Sequence, residues 1–264
     1  MTNSEFSNNF STLLNSYGSQ PIFGEQAAPQ DIVLDEYEKS VLLSEAQDII
    51  VKSYYDRTLN QQGQGFDDST RRQIDFSSLI KVATLSPVTQ TSSSLRFDDR
   101  GIVYQMPKRD DSSNVPDNTA VLFILNEKLL LKDNEDKVIA EYVIKPISYS
   151  EYDRIMSKPF TKPLKKQAWR LFQNQATGFD VMSELIPRDA VGAGQSLIYR
   201  IRYVKRPRPI VLETLPDGLS IDGVSAETSC ELNPSLHMDI LNKAVELALT
   251  TRGRYPVQEK QSTK

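Results

Sequence analysis

The chain has 264 residues, of which 39% are hydrophobic, with 31 basic against 35 acidic side chains. This composition can build the core of one large domain or two small ones and excludes a fully disordered chain. The net charge of -4 argues against a protein that coats nucleic acid through bulk positive charge. A single histidine and a single cysteine leave too few groups for a zinc site or a nucleophile and base pair, which favours a binding or structural protein over an enzyme.

Three features that are missing from the sequence indicate the environment in which the protein works. Cys230 has no cysteine to pair with inside the chain, which fits a reducing environment. The first residues carry neither the basic start nor the apolar stretch of a secretory signal. The longest apolar runs, such as residues 120–125, are too short to cross a bilayer. We therefore expect a soluble protein with no membrane partner and no cofactor.

The first thirty residues are rich in Asn, Ser, Gln and Gly and hold few large apolar side chains. Such a segment buries too little surface to offset the entropy lost on ordering. The composition predicts an arm over residues 1–30 that is flexible or ordered by a partner.

A helix is predicted from residue 31 onward and ends before residue 60, because Gly63 and Gly65 break the pattern. Asp35 and Glu38 have the spacing of a capping box. The expected apolar stripe recurs at helical spacing and consists of Tyr37, Val41, Leu42, Ile49, Ile50 and Tyr54. A shorter helix is predicted over about 69–82.

Strand patterns follow. Asp98, Asp99 and Gly101 separate two short apolar pieces, which predicts a hairpin. Three apolar runs between residues 120 and 144 are separated by Asn126 and by the turn at 133–136, which predicts an antiparallel meander. Ser148 and Glu151 have capping spacing and predict a short helix. Two more strands are predicted within 168–186.

The last strand alternates clearly. Leu197, Tyr199, Ile201 and Tyr203 share one side, while the arginines between them share the other. These tyrosines therefore read as core residues and not as a stacking platform for nucleic-acid bases. The final helix has Asn233 as its N-cap and Pro234 in its first turn. Its apolar stripe consists of Leu236, Ile240, Leu241, Val245 and Ala248.

Together these elements predict an α+β fold with an N-terminal arm and helices, a central antiparallel β-sheet, and a C-terminal amphipathic helix packed on the helical part. We expect a single domain over residues 31–253. Its helical part comprises 31–83 and 233–252, and its β-rich part comprises 95–215. Residues 254–264 are expected to form a tail.

Few side chains suggest site chemistry. His237 lies near the start of the last helix with no evident partner and is expected on the surface or facing a partner. The acidic pairs Asp98–Asp99 and Asp110–Asp111 could hold a divalent cation, but such pairs are more often solvated turns. The glycine-rich loop at 191–196 lacks the lysine of a phosphate loop and precedes a strand, so we reject that interpretation. No catalytic or metal site is predicted.

Charge is segregated along the chain. Residues 1–50 carry eight acidic side chains and one basic side chain, whereas residues 197–208 carry five basic side chains and no acid. This distribution suits head-to-tail contact between identical subunits, or contact of a basic face with a polyanion; a solvated sheet face is the alternative. A second basic group precedes it and comprises Lys158, Lys162, Lys165, Lys166 and Arg170. The candidate interaction residues are Arg200, Arg202, Lys205, Arg206, Arg208, Lys165 and Lys166.

Several long segments of the sequence resemble one protein family. They are VIKPISYSEYDRIMSKPFTKPLKKQAWRL, YRIRYVKRPRPIVLETLPDGLSIDG, CELNPSLHMDILNKAVELALTTR and the earlier DEYEKSVLLSEAQDIIVKSYYD. In wording and order they resemble the head-to-tail connector ring proteins of tailed bacteriophages, above all crAss-like phages. The resemblance spans residues 31–252, and none of these phrases encodes catalysis.

The resemblance implies a non-enzymatic virion protein, assembled in the host cytoplasm, that forms a twelve-subunit ring joining the portal to the tail. Its implied partners are further copies of itself, the portal protein, other tail or ring proteins, and passing genomic double-stranded DNA bound without sequence specificity. The alternative function is a nucleic-acid-binding regulator that uses the basic strand 198–208.

Overall fold

The computed structural model describes residues 1–18, 33–55, 70–88, 96–109, 120–158, 163–174, 181–188, 192, 194–216 and 218–251. The chain divides into two compact units. We call residues 1–79 with 207–264 the helical unit, and residues 80–206 the sheet unit. The expectation of a single domain over 31–253 stays a prediction, and the predicted tail at 254–264 lies outside the described residues.

Five α-helices, one short 3₁₀ helix (Pro234–Leu236) and seven strands form the described secondary structure. The helices are α1 (Asn3–Gly18), α2 (Glu36–Tyr55), α3 (Thr70–Asp75), α4 (Tyr149–Met156) and α5 (His237–Thr251). The strands are β1 (Ile80–Leu85), β2 (Ile102–Gln105), β3 (Val121–Lys132), β4 (Val138–Pro146), β5 (Gln167–Asn174), β6 (Val181–Pro187) and β7 (Ser196–Lys205). The content and order confirm the predicted α+β class.

Helix α1 occupies much of the segment that was expected to be an arm. Phe6, Phe10 and Leu14 are almost completely buried, and α1 packs against α5 of the same chain. Their four-residue spacing puts the three side chains on one helical stripe. Average composition hides this narrow stripe because Asn and Ser fill the positions between. Residues 19–30 of the predicted arm lie outside the described residues.

Helix α2 begins with the predicted capping box. The Asp35 carboxylate accepts a hydrogen bond from the Glu38 backbone N–H at 2.7 Å, and Glu38 accepts one from the Asp35 backbone N–H at 3.3 Å. Two backbone donors at the helix start are therefore satisfied.

The face that α2 buries differs from the prediction. Val41, Leu42 and Ile49 are only partly buried. The Ser40 hydroxyl accepts a hydrogen bond from the Leu212 backbone N–H at 3.0 Å, and the Gln47 amide donates to the Arg208 carbonyl at 2.7 Å. These long-range bonds help fix the helix rotation. The buried residues are Lys39, Ser40, Leu43, Ala46, Gln47, Ile50 and Val51.

The helix predicted over 69–82 is too long. Helix α3 ends at Asp75, and residues 80–85 instead form β1, which pairs antiparallel with β7. Ile74, an apolar residue of α3, is 57% exposed. Pairing with a distant strand therefore overrides the local helical pattern.

The seven strands of the sheet unit lie in the order β1-β7-β3-β4-β5-β6-β2. Neighbouring strands are antiparallel except β4 and β5, which are parallel because α4 crosses between them. A single bridge between Pro87 and Tyr104 connects the segments at the two sheet edges, so the sheet curls on itself.

Two predicted strand boundaries need correction. The runs on either side of Asn126 form one strand, β3, with register irregularities near this residue, so Asn126 marks a bulge and not a turn. The turn between Asp98 and Gly101 exists, with a 2.8 Å backbone hydrogen bond, but β2 pairs with β6 and not in the predicted hairpin. The β3–β4 hairpin is confirmed.

The cores confirm the predicted alternation of the last strand. The inner face of the curled sheet buries Leu197, Tyr199, Ile201 and Tyr203 from β7. In the helical unit, Ile240, Leu241, Val245 and Ala248 of α5 are buried as predicted. The predicted cap Ser148 is confirmed, since it accepts from the Glu151 backbone N–H. Asn233 also acts as an N-cap and accepts from the Ser235 backbone N–H, but it caps the 3₁₀ turn Pro234–Leu236 that leads into α5.

Candidate interaction surface on the sheet unit

Strand alternation places the two arginines of β7 on the outer face of the sheet. Arg200 lies between Thr84 of β1 and Lys128 of β3, and Arg202 lies opposite Val82. Lys128 in turn lies opposite Val143 of β4. These side chains share one face because directly paired residues point the same way. We call this set, Val82, Thr84, Lys128, Val143, Arg200 and Arg202, the basic face.

The basic face is exposed among the described residues, whereas a helix covers the outer side of the neighbouring strands. Helix α4 packs over β5 and β6, where Tyr152 contacts Trp169 in a cluster with Leu171 and Ile186. On the basic face, in contrast, Val82 and Val143 are 64% and 67% exposed. These exposed apolar side chains could be buried by a protein partner, as apolar side chains in protein interfaces are.

The charges of the basic face are poorly balanced. Lys128 pairs with Glu141 of β4. Within the part of the chain that the structure describes, Arg200 and Arg202 are exposed and form no ion pair with an acidic side chain. Arg200 also lies directly opposite Lys128, and like charges in that position destabilise a sheet. This local cost favours a role that depends on an outside partner.

The other candidate residues lie elsewhere. Lys205 is the last residue of β7 and Arg206 follows it; both are partly buried and make further contacts within the chain. Arg208 belongs to the helical unit, where it pairs with Glu231 at 3.7 Å. Lys165 and Lys166 are exposed in the turn before β5, and the Lys166 carbonyl accepts from the Val143 backbone N–H at 3.0 Å. The structure thus brings Arg200 and Arg202 together on one face, whereas Arg208 belongs to the other unit.

Arg170, counted with the second basic group, is buried. Its Nε lies 3.2 Å from the Glu127 carboxylate, and its guanidinium stacks on the Phe172 ring at 4.1 Å. The Tyr199 hydroxyl donates to the same carboxylate at 2.7 Å. Burial raises the pKa of Glu127, which Arg170 and Tyr199 partly oppose. This network stabilises the interior of the sheet and is not available to a partner. Lys162 lies outside the described residues.

His237 was expected on the surface, but it is buried and 4% exposed. Its Nε2 lies 3.1 Å from the Leu232 carbonyl, which assigns the proton to Nε2, and its Nδ1 accepts from the Met1 ammonium at 2.8 Å. The Phe6 ring packs on the imidazole. Burial lowers the pKa of His237, and the ammonium lowers it further. The prediction failed because α1 was not predicted from the sequence, and the packing of α1 buries this side chain.

Asp98 makes internal contacts instead of forming an open cation site. It pairs with Arg100 at 2.9 Å and accepts a hydrogen bond from the Tyr152 hydroxyl. Burial alone would raise the pKa of Asp98, but the hydrogen bonds from Arg100 and Tyr152 outweigh it and hold the pKa at about 2. No metal-binding group of three or more His, Cys, Asp or Glu occurs among the described residues. The pair Asp110–Asp111 lies outside them.

The helical unit carries the opposite charge. It contains 20 acidic and 11 basic side chains, a net charge of -9, whereas the sheet unit contains 15 acidic and 20 basic side chains, a net charge of +5. Along α2, Glu38 and Glu45 are exposed and Asp48 is half-exposed, beside the partly exposed Leu42 and Ile49. We call these five residues the acidic face of α2.

None of the described helices is long and apolar enough to cross a membrane.

Comparison with known proteins now identifies the family. A family described as phage tail ring protein 3/4 matches residues 1–260. The chain is 41% identical over 253 residues to ring protein 4/5 of Bacteroides phage crAss001, covering 94% of this chain and 92% of that protein. It is 33% identical over 256 residues to ring protein 3 of the same phage, covering 96% of both chains.

The chain therefore belongs to the phage tail ring protein family of crAss-like phages, which confirms the resemblance found in its sequence. It is a structural ring protein of the virion. Membership in this family favours a structural role over catalysis.

Proposed function

We propose that the chain forms a closed ring of twelve copies in the head-to-tail connector, where it joins the portal to the tail and surrounds the passage for genomic DNA. The single observation that carries this proposal is membership in a family of ring proteins along nearly the whole chain. Assembly in the host cytoplasm and contact with the portal protein are parts of the same proposal.

A ring requires two different surfaces on every subunit. In a closed ring, one surface of each copy contacts a different surface of the next, whereas a two-fold dimer uses one surface twice. The opposite net charges of the two compact units, -9 and +5, supply surfaces of this kind. This segregation supports a heterologous contact, in which charge also sets the orientation of approach.

Passing DNA must slide along the lumen and not adhere to it. Every phosphate contact adds affinity that depends on salt, so a strongly basic wall would hold the DNA. The overall charge of -4 suits weak contact. Within this proposal the candidate interaction residues contact a subunit, the portal or the DNA. They are Arg200, Arg202, Lys205, Arg206, Arg208, Lys165 and Lys166.

Electron cryomicroscopy of purified particles tests the proposal directly. We expect a ring of twelve copies between the portal and the tail, with density for DNA on its axis in filled particles. Native mass spectrometry of the purified full chain gives the copy number independently. A chain that is absent from particles and monomeric at every concentration would overturn the proposal.

The second candidate is a nucleic-acid-binding regulator, which the exposed Arg200 and Arg202 favour. In that case, replacing Arg200, Arg202 and Lys205 by alanine should abolish salt-sensitive binding of a DNA duplex. A ring protein should instead lose assembly and keep whatever weak DNA binding it has. Fluorescence anisotropy and sedimentation of the same variant separate the two functions.

A further inference from the structure

We infer that the basic face of the sheet unit binds the acidic face of α2 on a neighbouring copy of the chain. This inference rests on the proposed ring, because it names the contact that would link one subunit to the next. Each copy would contribute its basic face to one neighbour and its α2 to the other, which is the arrangement that a closed ring requires.

The two faces agree in size. The basic face spans four adjacent strands, β1, β7, β3 and β4, which at about 4.8 Å between neighbours gives a width of about 14 Å. Glu38 and Glu45 lie seven residues apart on α2, a distance of about 10 Å along the axis. A helix about 10 Å in diameter therefore fits across the strands.

The chemistry of the faces is complementary. Arg200 and Arg202 form no ion pair among the described residues, and Glu45 likewise forms none. Opposed in a contact, these groups would neutralise each other and relieve the repulsion between Arg200 and Lys128.

Apolar side chains match as well. Val82 and Val143 are largely exposed on the basic face, and Leu42 and Ile49 are partly exposed on α2. Burial of these side chains against one another would remove apolar surface from water, which drives most protein association. Leu42 and Ile49 belong to the apolar stripe that sequence periodicity predicted to be buried, yet both are only partly buried. A contact with a second copy would account for apolar residues at these positions.

Protein is favoured over DNA as the partner of this face. A phosphate backbone gains nothing from Val82 and Val143, which are 64% and 67% exposed on this face. A helix that carries both acidic and apolar side chains can pair with Arg200 and Arg202 and can also cover Val82 and Val143. DNA binding is retained as an outcome of the test.

Charge reversal tests the contact. The sheet variant carries Arg200→Glu and Arg202→Glu, and the helix variant carries Glu45→Lys and Asp48→Lys. Each places like charges across the proposed contact and should lower the association constant between copies at least about 100-fold, measured by sedimentation of the full chain. The matched control, Lys137→Glu with Arg154→Glu, also reverses two exposed cations of the sheet unit and should assemble like the wild type.

Restoring complementarity gives the decisive measurement. A variant that carries all four substitutions again opposes unlike charges, and it should recover assembly to within about tenfold of the wild type. A mixture of the sheet and helix variants should also assemble, because each then meets a complementary face. Circular dichroism checks that each variant folds. If the sheet variant does not fold, a variant with Arg200→Thr and Arg202→Thr replaces it, because threonine is well tolerated in strands.

The outcomes are distinct. If the wild type assembles and the sheet and helix variants also assemble, the contact is wrong while the proposed ring stands. If the four-substitution variant stays dissociated like its parents, the pairing of these two faces is wrong. If the sheet variant assembles normally but loses duplex binding in fluorescence anisotropy, the basic face serves DNA. If the wild type never assembles, both the ring and this contact fail.

Discussion

The buried ion pair of the sheet unit allows a quantitative test, in which Arg170→Met removes one partner. The side chains of Arg170 and Glu127 are only 8% and 11% exposed, and they lie 3.2 Å apart. Methionine keeps most of the apolar length of arginine but leaves the Glu127 carboxylate buried with only the Tyr199 hydroxyl as a described hydrogen-bond partner. The substitution therefore isolates the cost of an uncompensated charge.

Removing one partner of a buried pair costs about 3–5 kcal/mol of unfolding free energy. Burial already raises the pKa of Glu127 while Arg170 opposes that rise, so the variant should raise the pKa further. A carboxyl whose folded-state pKa exceeds its unfolded value contributes stability at low pH that is lost as the pH rises through the folded-state pKa. The loss of unfolding free energy in the variant should thus be largest near pH 7. It should shrink as the pH falls toward the ordinary pKa of a glutamate side chain.

Trp169 provides the assay. It is the single tryptophan of the chain, it is buried, and it precedes Arg170 on β5, so its fluorescence reports unfolding of the sheet unit in urea. Arg154→Met, on an exposed position of α4, should change the unfolding free energy by less than about 0.5 kcal/mol. Adding Glu127→Gln to Arg170→Met should recover part of the loss at pH 7. A cost below about 1 kcal/mol at pH 7, or a cost independent of pH, would refute the reasoning.

Three further substitutions test other parts of the fold. Phe10→Ala should destabilise the helical unit by about 3–5 kcal/mol in thermal melts followed by circular dichroism, because it empties a fully buried site; a change below about 1 kcal/mol would contradict the packing of α1. Burial lowers the pKa of His237, so wild-type stability should fall as the pH drops below about 6.5, and His237→Gln should flatten that dependence in urea titrations. Gly101→Ala should destabilise the sheet unit by at least about 1 kcal/mol, because its Cβ would overlap the buried Glu184 carboxylate; an unchanged urea midpoint would contradict that contact.

Local signals in the sequence were sufficient where the structure is local. The caps at Asp35 and Ser148 depend on residues three positions apart, so their spacing alone predicts them. The alternation of β7 also predicts its buried face, because a strand with one buried side has a period of two. From this alternation the sequence placed Arg200 and Arg202 on one exposed face.

Distant contacts explain the errors. Residues 80–85 form a strand only because β7 pairs with them, and that partner lies more than a hundred residues later in the chain. Helix α2 turns its Ser40 and Gln47 inward because the segment 208–212 supplies their hydrogen-bond partners. Neither interaction produces a periodic pattern of apolar residues in the sequence. The sequence showed that charge is segregated along the chain, but it did not show where one unit ends, because the basic run at 200–208 crosses the boundary between the units.

Salt dependence can distinguish the forces that hold the proposed ring together. Attraction between a basic face and an acidic helix of separate copies is screened by added salt, whereas apolar burial is not weakened by it. If the contact depends on Arg200 and Arg202, raising sodium chloride from about 50 to about 500 mM should increase the dissociation constant of the wild-type assembly at least about tenfold, as measured by sedimentation. The Arg200→Thr and Arg202→Thr variant should respond less steeply, since it has fewer charges to screen. Equal salt responses in the two proteins would show that apolar surface, and not these arginines, supplies the contact.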